Sequence, residues 1–209
     1  MSSHTGESVA AGTTVLWDEG HHGHDMISTR TFGFWLYMLS DAMIFAALFT
    51  AYAVLGHNYA GGPTAAQVLR PGDALVETML VFTSVLAFGF AMSALKQGHR
   101  TGVLNWMTVA FVIGAAFVGM EVHEFANLAS HGIVPERSGF LSAYYTIVLT
   151  HGLHMVFGLL WMAVMAVQVL RDGFTENVVY RLLNLKIFWH FQAIIWVCVF
   201  AFVYLQGSI

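Results

Sequence analysis

Charge is what this chain has least of. Only 10% of its 209 residues are Asp, Glu, Lys or Arg, against about 25% in a soluble domain. Water is therefore the wrong solvent for most of its surface. The formal net charge is −4, which leaves no basic excess with which to grip nucleic acid. The single cysteine, Cys198, excludes an intrachain disulfide and any zinc cluster of the CxxC type. The three prolines, Pro63, Pro71 and Pro135, all fall in the breaks between apolar runs. The opening stretch MSSHTGESVAAGTTVLWDEGHHGHD has no long apolar core behind a lysine or arginine, so it does not read as a secretory signal peptide.

What the chain does have is apolar length. Hydrophobic residues make up 57%, and the mean hydropathy is +0.68. A helix needs roughly 20 mostly apolar residues to cross a bilayer. Five runs qualify, at about 32–55, 74–95, 103–125, 140–170 and 185–205. They are continuous rather than alternating, which excludes a β-barrel. The expected fold is an all-α membrane protein of five transmembrane helices. Residues 1–30 form a polar, His-rich leader and residues 31–209 the membrane domain. The leader's HHGHD cluster (His21, His22, His24, Asp25) could hold a divalent metal loosely or be a solvated tail.

Gly61, Gly62, Pro63, Pro71, Gly72, Gly98, Gly102, Pro135 and Gly139 punctuate the breaks. Lysine and arginine are unevenly shared between the two ends. Arg30, Lys96, Arg100, Arg171, Arg181 and Lys186 fall on one side, Arg70 and Arg137 on the other. The first side is expected to be cytoplasmic, with the N-terminus there and the C-terminus outside. Small residues four apart, Ala47 and Ala51 or Ala115 and Gly119, are expected to let helices approach closely. No repeat relates the two halves, which argues against an inverted-repeat transporter.

Asp41, Glu77, Glu121, Glu124, His151, His154 and His190 lie in the runs or near their ends. An acid at the centre of a bilayer costs about 2.5–3.5 kcal/mol on insertion scales, so these residues should face the bundle, each other or a partner. Glu121 and Glu124 share one helix face, and His151 and His154 share another. If the third and fourth helices are neighbours, two carboxylates meet two imidazoles. Three readings fit that meeting. One is a metal or haem site, although neither helix has the Glu-x-x-His pairing of di-iron bundles. The others are a proton relay and a structural network that fixes helix rotation. A free-standing proton-linked transporter or a membrane metalloenzyme would use the same residues.

The segments TFGFWLYMLSDAMIF, LVETMLVFTS, GMEVHEF, PERSGFLSA, THGLHMVFGLLWM and FWHFQAIIWVCVF resemble the subunit III family of haem–copper terminal oxidases, in the family's order. The five-span layout, the His-rich leader and Glu77 resemble its quinol-oxidising branch; a cytochrome c oxidase or a relative associated with nitric-oxide reductase is the alternative. The resemblance implies an assembly that oxidises ubiquinol, reduces oxygen to water and pumps protons in a bacterial inner membrane. It implies oxidase subunits I, II and IV as partners, with haems and copper in subunit I and none in this chain. It also implies phospholipid bound between helix groups, and support of assembly, sustained turnover and proton supply. No residue here is then catalytic, cofactor-binding or metal-binding. Asp41, Glu121, Glu124, His151, His154 and His190 fit family positions, as a polar network or as lipid- or proton-related groups. The family's last span reads WHF, one apolar residue, then Asp, whereas this chain has Ala193 at that point, beside Gln192.

Overall fold

The computed structural model describes residues 26–207, and the HHGHD cluster lies outside them. Among the described residues every regular element is helical. The elements are α1 (Met26–Leu55), the short α2 (Ala65–Val68), α3 (Pro71–Lys96), α4 (Arg100–Ser130), α5 (Gly139–Asp172) and α6 (Glu176–Val199), which runs on as a π-helical turn over Phe200–Leu205. Five of the helices among the described residues are long and apolar enough to cross a membrane. They correspond to the five apolar runs, but the helices are longer. α6 begins at Glu176, where the apolar run starts at about residue 185. Hydropathy marks the stretch that lies in hydrocarbon. The backbone hydrogen bonds that make the helix run on through polar residues such as Arg181 and Asn184, which lower the hydropathy without ending the helix.

Residue chemistry at the ends explains the breaks. Pro71 opens α3, where a missing N–H costs nothing. Ser138 and Thr175 cap α5 and α6 by accepting from Leu141 N and Val178 N. Gly98, at φ 70°, closes α3 in the left-handed conformation, and α4 starts two residues later. Arg100 donates to the Leu170 carbonyl, and Arg181 donates to Gln168 Oε1 at 3.1 Å. The α3–α4 turn thus sits beside the C-terminal end of α5, where cations suit the exposed carbonyls.

α5 and α6 form the centre. α1 packs on one side of them; the tightly paired α3 and α4 pack on the other, α3 against α6 and α4 against α5. Two tryptophans of α6, seven residues apart, fix this arrangement. Trp189 Nε1 donates to Ser84 Oγ at 3.1 Å, and Ser84 in turn donates to the Ala110 carbonyl of α4 at 2.8 Å. Trp196 Nε1 donates to Thr78 Oγ1 at 3.1 Å. Both tryptophans are fully buried. Trp35 and Trp106 are exposed on the outer surface instead.

Close approach comes from glycines other than those expected. Ala47, Ala51 and Gly119 are exposed, Ala115 is only partly buried, and a Cβ on Gly119 would meet nothing within 4 Å. Spacing alone could not tell a lipid-facing small pair from a packed one. The packed pair is Gly114 on α4 and Gly158 on α5, which flank the Trp189 indole. A Cβ would fall 2.9 Å from Trp189 at Gly114, and 2.8 Å from both Phe188 and Trp189 at Gly158. Gly158→Ala should therefore destabilise the detergent-purified protein by about 1–3 kcal/mol, the usual cost of overpacking. Gly119→Ala should be neutral or slightly stabilising. Thermal unfolding followed by tryptophan fluorescence separates the two; equal melting temperatures would refute the packing argument.

Candidate functional site

The seven polar residues do not gather in one cluster. They divide into two buried groups and one outlying residue. In the first group, His154 of α5 reaches Asp41 of α1. His154 Nδ1 faces the carbonyl of Thr150 at 2.7 Å, and Nε2 faces Asp41 Oδ1 at 3.1 Å. A carbonyl only accepts, so Nδ1 carries hydrogen. Phe45 and Phe188 pack on the imidazole, at 5.2 and 6.5 Å between centroids. The pair ends an apolar groove of about 700 Å³ between α1, α5 and α6, walled by Phe34, Tyr37, Phe157 and Trp161.

The second group lies on the other side of α5. His151 is fully buried and donates from Nε2 to the Gln192 carbonyl of α6 at 3.2 Å. Phe117 meets its ring edge-on at 5.7 Å, and Trp196 covers it at 5.0 Å. Its Nδ1 faces Glu121 Oε1 of α4 across 3.8 Å, too far for a hydrogen bond. Both atoms lack hydrogen-bond partners. Gly152 makes room for this carboxyl, since a Cβ there would stand 2.7 Å from Glu121 Oε2. The glycine between the histidines of THGLH is thus a seat for the acid of the neighbouring helix.

Glu124, one turn further along α4, meets no histidine. It accepts from Tyr144 Oη at 3.1 Å and from Tyr204 Oη at 3.4 Å, one phenol on each oxygen. The two phenols lie 3.1 Å apart. Tyr204 sits on the π-helical turn, whose Val203 carbonyl also accepts from Tyr52 Oη at 3.4 Å. Glu77 of α3, almost fully buried, lies within electrostatic range of both Glu121 and Glu124. The meeting of two carboxylates with two imidazoles is therefore realised once, at Glu121 and His151. His154 pairs with Asp41 instead, because α1 is the neighbour on that face of α5.

His190 belongs to neither group. Its Nδ1 donates to the Lys186 carbonyl at 2.9 Å, and it lies at a shallow groove on the α3 surface beside Phe82 and Phe90. Ala193 is buried among apolar neighbours. Gln192 is fully buried, with neither amide atom partnered by protein. Sequence reasoning missed Tyr144, Tyr204, Thr78 and Ser84. The two-turn spacing of Trp189 and Trp196 was the one available signal, because indole N–H groups inside a bundle need acceptors.

His151 is walled by Phe117 and Trp196; His154 and His190 each hold a main-chain carbonyl. Among the described residues no three His, Cys, Asp or Glu side chains converge as a metal-binding group.

The family model for cytochrome c oxidase subunit III matches residues 8–208, and the chain belongs to that family. A Pseudomonas putida protein named cytochrome bo(3) ubiquinol oxidase subunit 3 is 44% identical over 88% of this chain and 89% of its own length. Its namesake from Pseudomonas aeruginosa is 43% identical over 90% of each chain. A Bacillus protein named cytochrome c oxidase subunit 3 is 33% identical over 85% of this chain and 86% of its own. With five apolar spans and these bacterial relatives, the chain is a multi-pass inner-membrane protein of the respiratory chain.

The seat at Gly152 can be tested by coupling. Gly152→Ala should lower stability by about 1–3 kcal/mol. In a Glu121→Ala background the same substitution should cost much less, because the carboxyl it strikes has gone. Melting temperatures of the four proteins decide it; an equal cost in both backgrounds would show that Glu121 is not what Gly152 accommodates.

Proposed function

We propose that this chain is the third subunit of a proton-pumping ubiquinol:oxygen oxidoreductase of the cytochrome o class. It packs on the catalytic subunit I, alongside subunits II and IV, and carries no redox centre of its own. The observation that carries this reading is the near full-length identity to Pseudomonas proteins named as that subunit. The geometry supports it. His151 ties α5 to α6 through the Gln192 carbonyl, and His154 ties α5 to α1 through Asp41, the work of a structural network. Haems and copper then belong to subunit I.

The chain's contribution on this reading is mechanical and electrostatic. Apolar side chains on the outer faces of α1, α3 and α5, such as Met43, Phe82 and Leu153, supply contact area for a partner subunit and for lipid. The groove ending at Asp41 and His154 suits a phospholipid chain, its aromatic walls being apolar and its mouth open sideways. That contact stabilises the catalytic subunit during turnover. By the charge count the N-terminus is cytoplasmic. Acids and histidines on that side raise local proton availability at the entrance to the proton path.

A reduced-minus-oxidised absorption spectrum tests the reading. The chain, tagged and purified from native membranes in mild detergent, should bring haem bands and ubiquinol oxidase activity. Both should vanish when it is stripped to the single chain. Haem bands that stay with the stripped chain would make it a haem protein. Haem without ubiquinol oxidation, but with cytochrome c oxidation, would move it to the other branch of the family. No haem in either preparation would sink the proposal.

A further inference from the structure

The two carboxyls of α4 have opposite surroundings, and that difference assigns a proton. His151 Nε2 donates to the Gln192 carbonyl, so a neutral ring has a bare lone pair on Nδ1. That lone pair faces Glu121 Oε1 across 3.8 Å, in a place where neither group touches solvent. Two acceptors face to face in a dry interior repel, and each is left without a partner. A proton between them turns the repulsion into an attraction. If the ring took it, an imidazolium would lie between Phe117 and Trp196, opposite an ionised carboxylate. Neither ion would have water, and two desolvated ions cost more than a neutral pair.

Glu124, one turn away, is served differently. Tyr144 of α5 donates to its Oε1 at 3.1 Å, and Tyr204 of the π-helical turn stands within donating distance of both Oε2, at 3.4 Å, and the Tyr144 phenol, at 3.1 Å. Two donors and no facing acceptor is the environment of a carboxylate. Paired acids pushed toward opposite protonation states form an acid–base pair.

We infer that α4 carries a one-proton site: Glu121 is a neutral carboxylic acid whose hydrogen is directed at His151 Nδ1, and Glu124 is the carboxylate beside it. The ligand is a proton, held between α4, α5 and α6. Gly152 on α5, Phe117 on α4, and the Gln192 carbonyl and Trp196 on α6 complete its walls. The site belongs to this chain alone and stands or falls independently of which oxidase the chain joins.

Infrared spectroscopy reads it directly, on the protein purified with whatever partners accompany it from native membranes. A wild-type minus Glu121→Gln difference spectrum should contain the carbonyl stretch of a protonated carboxylic acid, shifted down in D₂O. Carboxylate stretches in its place would overturn the assignment. His151→Gln supplies a second reading that does not depend on the first variant folding. The acid's carbonyl band should move when the imidazole lone pair that its hydrogen faces is replaced, and an unmoved band would overturn the pairing. Tyr144→Phe with Tyr204→Phe should add a second carboxylic acid band, as Glu124 takes up a proton from solvent once its donors are gone. No added band in that double variant would refute the carboxylate role of Glu124.

Discussion

Hydrocarbon offers no hydrogen bonds, and that one constraint organises this bundle. A polar side chain inside a membrane must find its partner on another helix, or on a carbonyl of its own. The chain meets the requirement with contacts that cross helix boundaries. Trp189 and Trp196 tie α6 to α3; His151 ties α5 to α6; His154 ties α5 to α1; Tyr144 and Tyr204 tie α5 and α6 to α4. Each contact also fixes the rotation of a helix about its axis, which apolar packing alone leaves loosely specified. The threonines that find no such partner donate back to their own helices: Thr83, Thr108, Thr146 and Thr150 each bond the carbonyl four residues earlier.

α5 has the central place because it carries polar residues on two faces. His151 and His154, three residues apart, point roughly 60° away from each other around the axis, enough to serve different neighbours. One turns toward α4 and α6, the other toward α1. The glycines of α5 complete the division, Gly152 seating a carboxyl and Gly158 an indole. A helix with bulk at these two positions could keep its hydropathy and still lose both neighbours. Mean hydropathy therefore says little about whether such a helix is interchangeable with another.

The five helices were legible because twenty-residue apolar runs have few alternative explanations. The breaks were legible from proline and glycine at helix ends. Helix limits were not, since Glu176–Asn184 at the start of α6 is polar enough to look like loop and yet buries Val178, Val179 and Leu182. The polar residues that needed partners could be read from their cost in lipid, but their pairing could not. Adjacency decides it, and the order α1 | α5, α6 | α3, α4 is a property of the packed bundle. Glu124 looked equivalent to Glu121 by spacing. It meets Tyr144 and, from a π-helical turn, Tyr204, and no periodicity in the sequence announces that turn. His190 looked equivalent to His151 by chemistry, but lies on the outer side of α6.

Ala193 gains a physical reading from the same geometry. It is buried on α6 beside Gln192, whose amide is fully buried and unpartnered, and one turn before Trp196, which packs on His151. An extra carboxyl would need its own donor, and the nearby indole N–H is committed to Thr78. Alanine removes that demand. The polar function of this level of the bundle then rests on main chain, the Gln192 carbonyl, rather than on a side chain of α6. A main-chain acceptor neither ionises nor changes rotamer. The imidazole it orients keeps a fixed tautomer, and the identity of the group facing Glu121 is set by the backbone of α6 rather than by solvent.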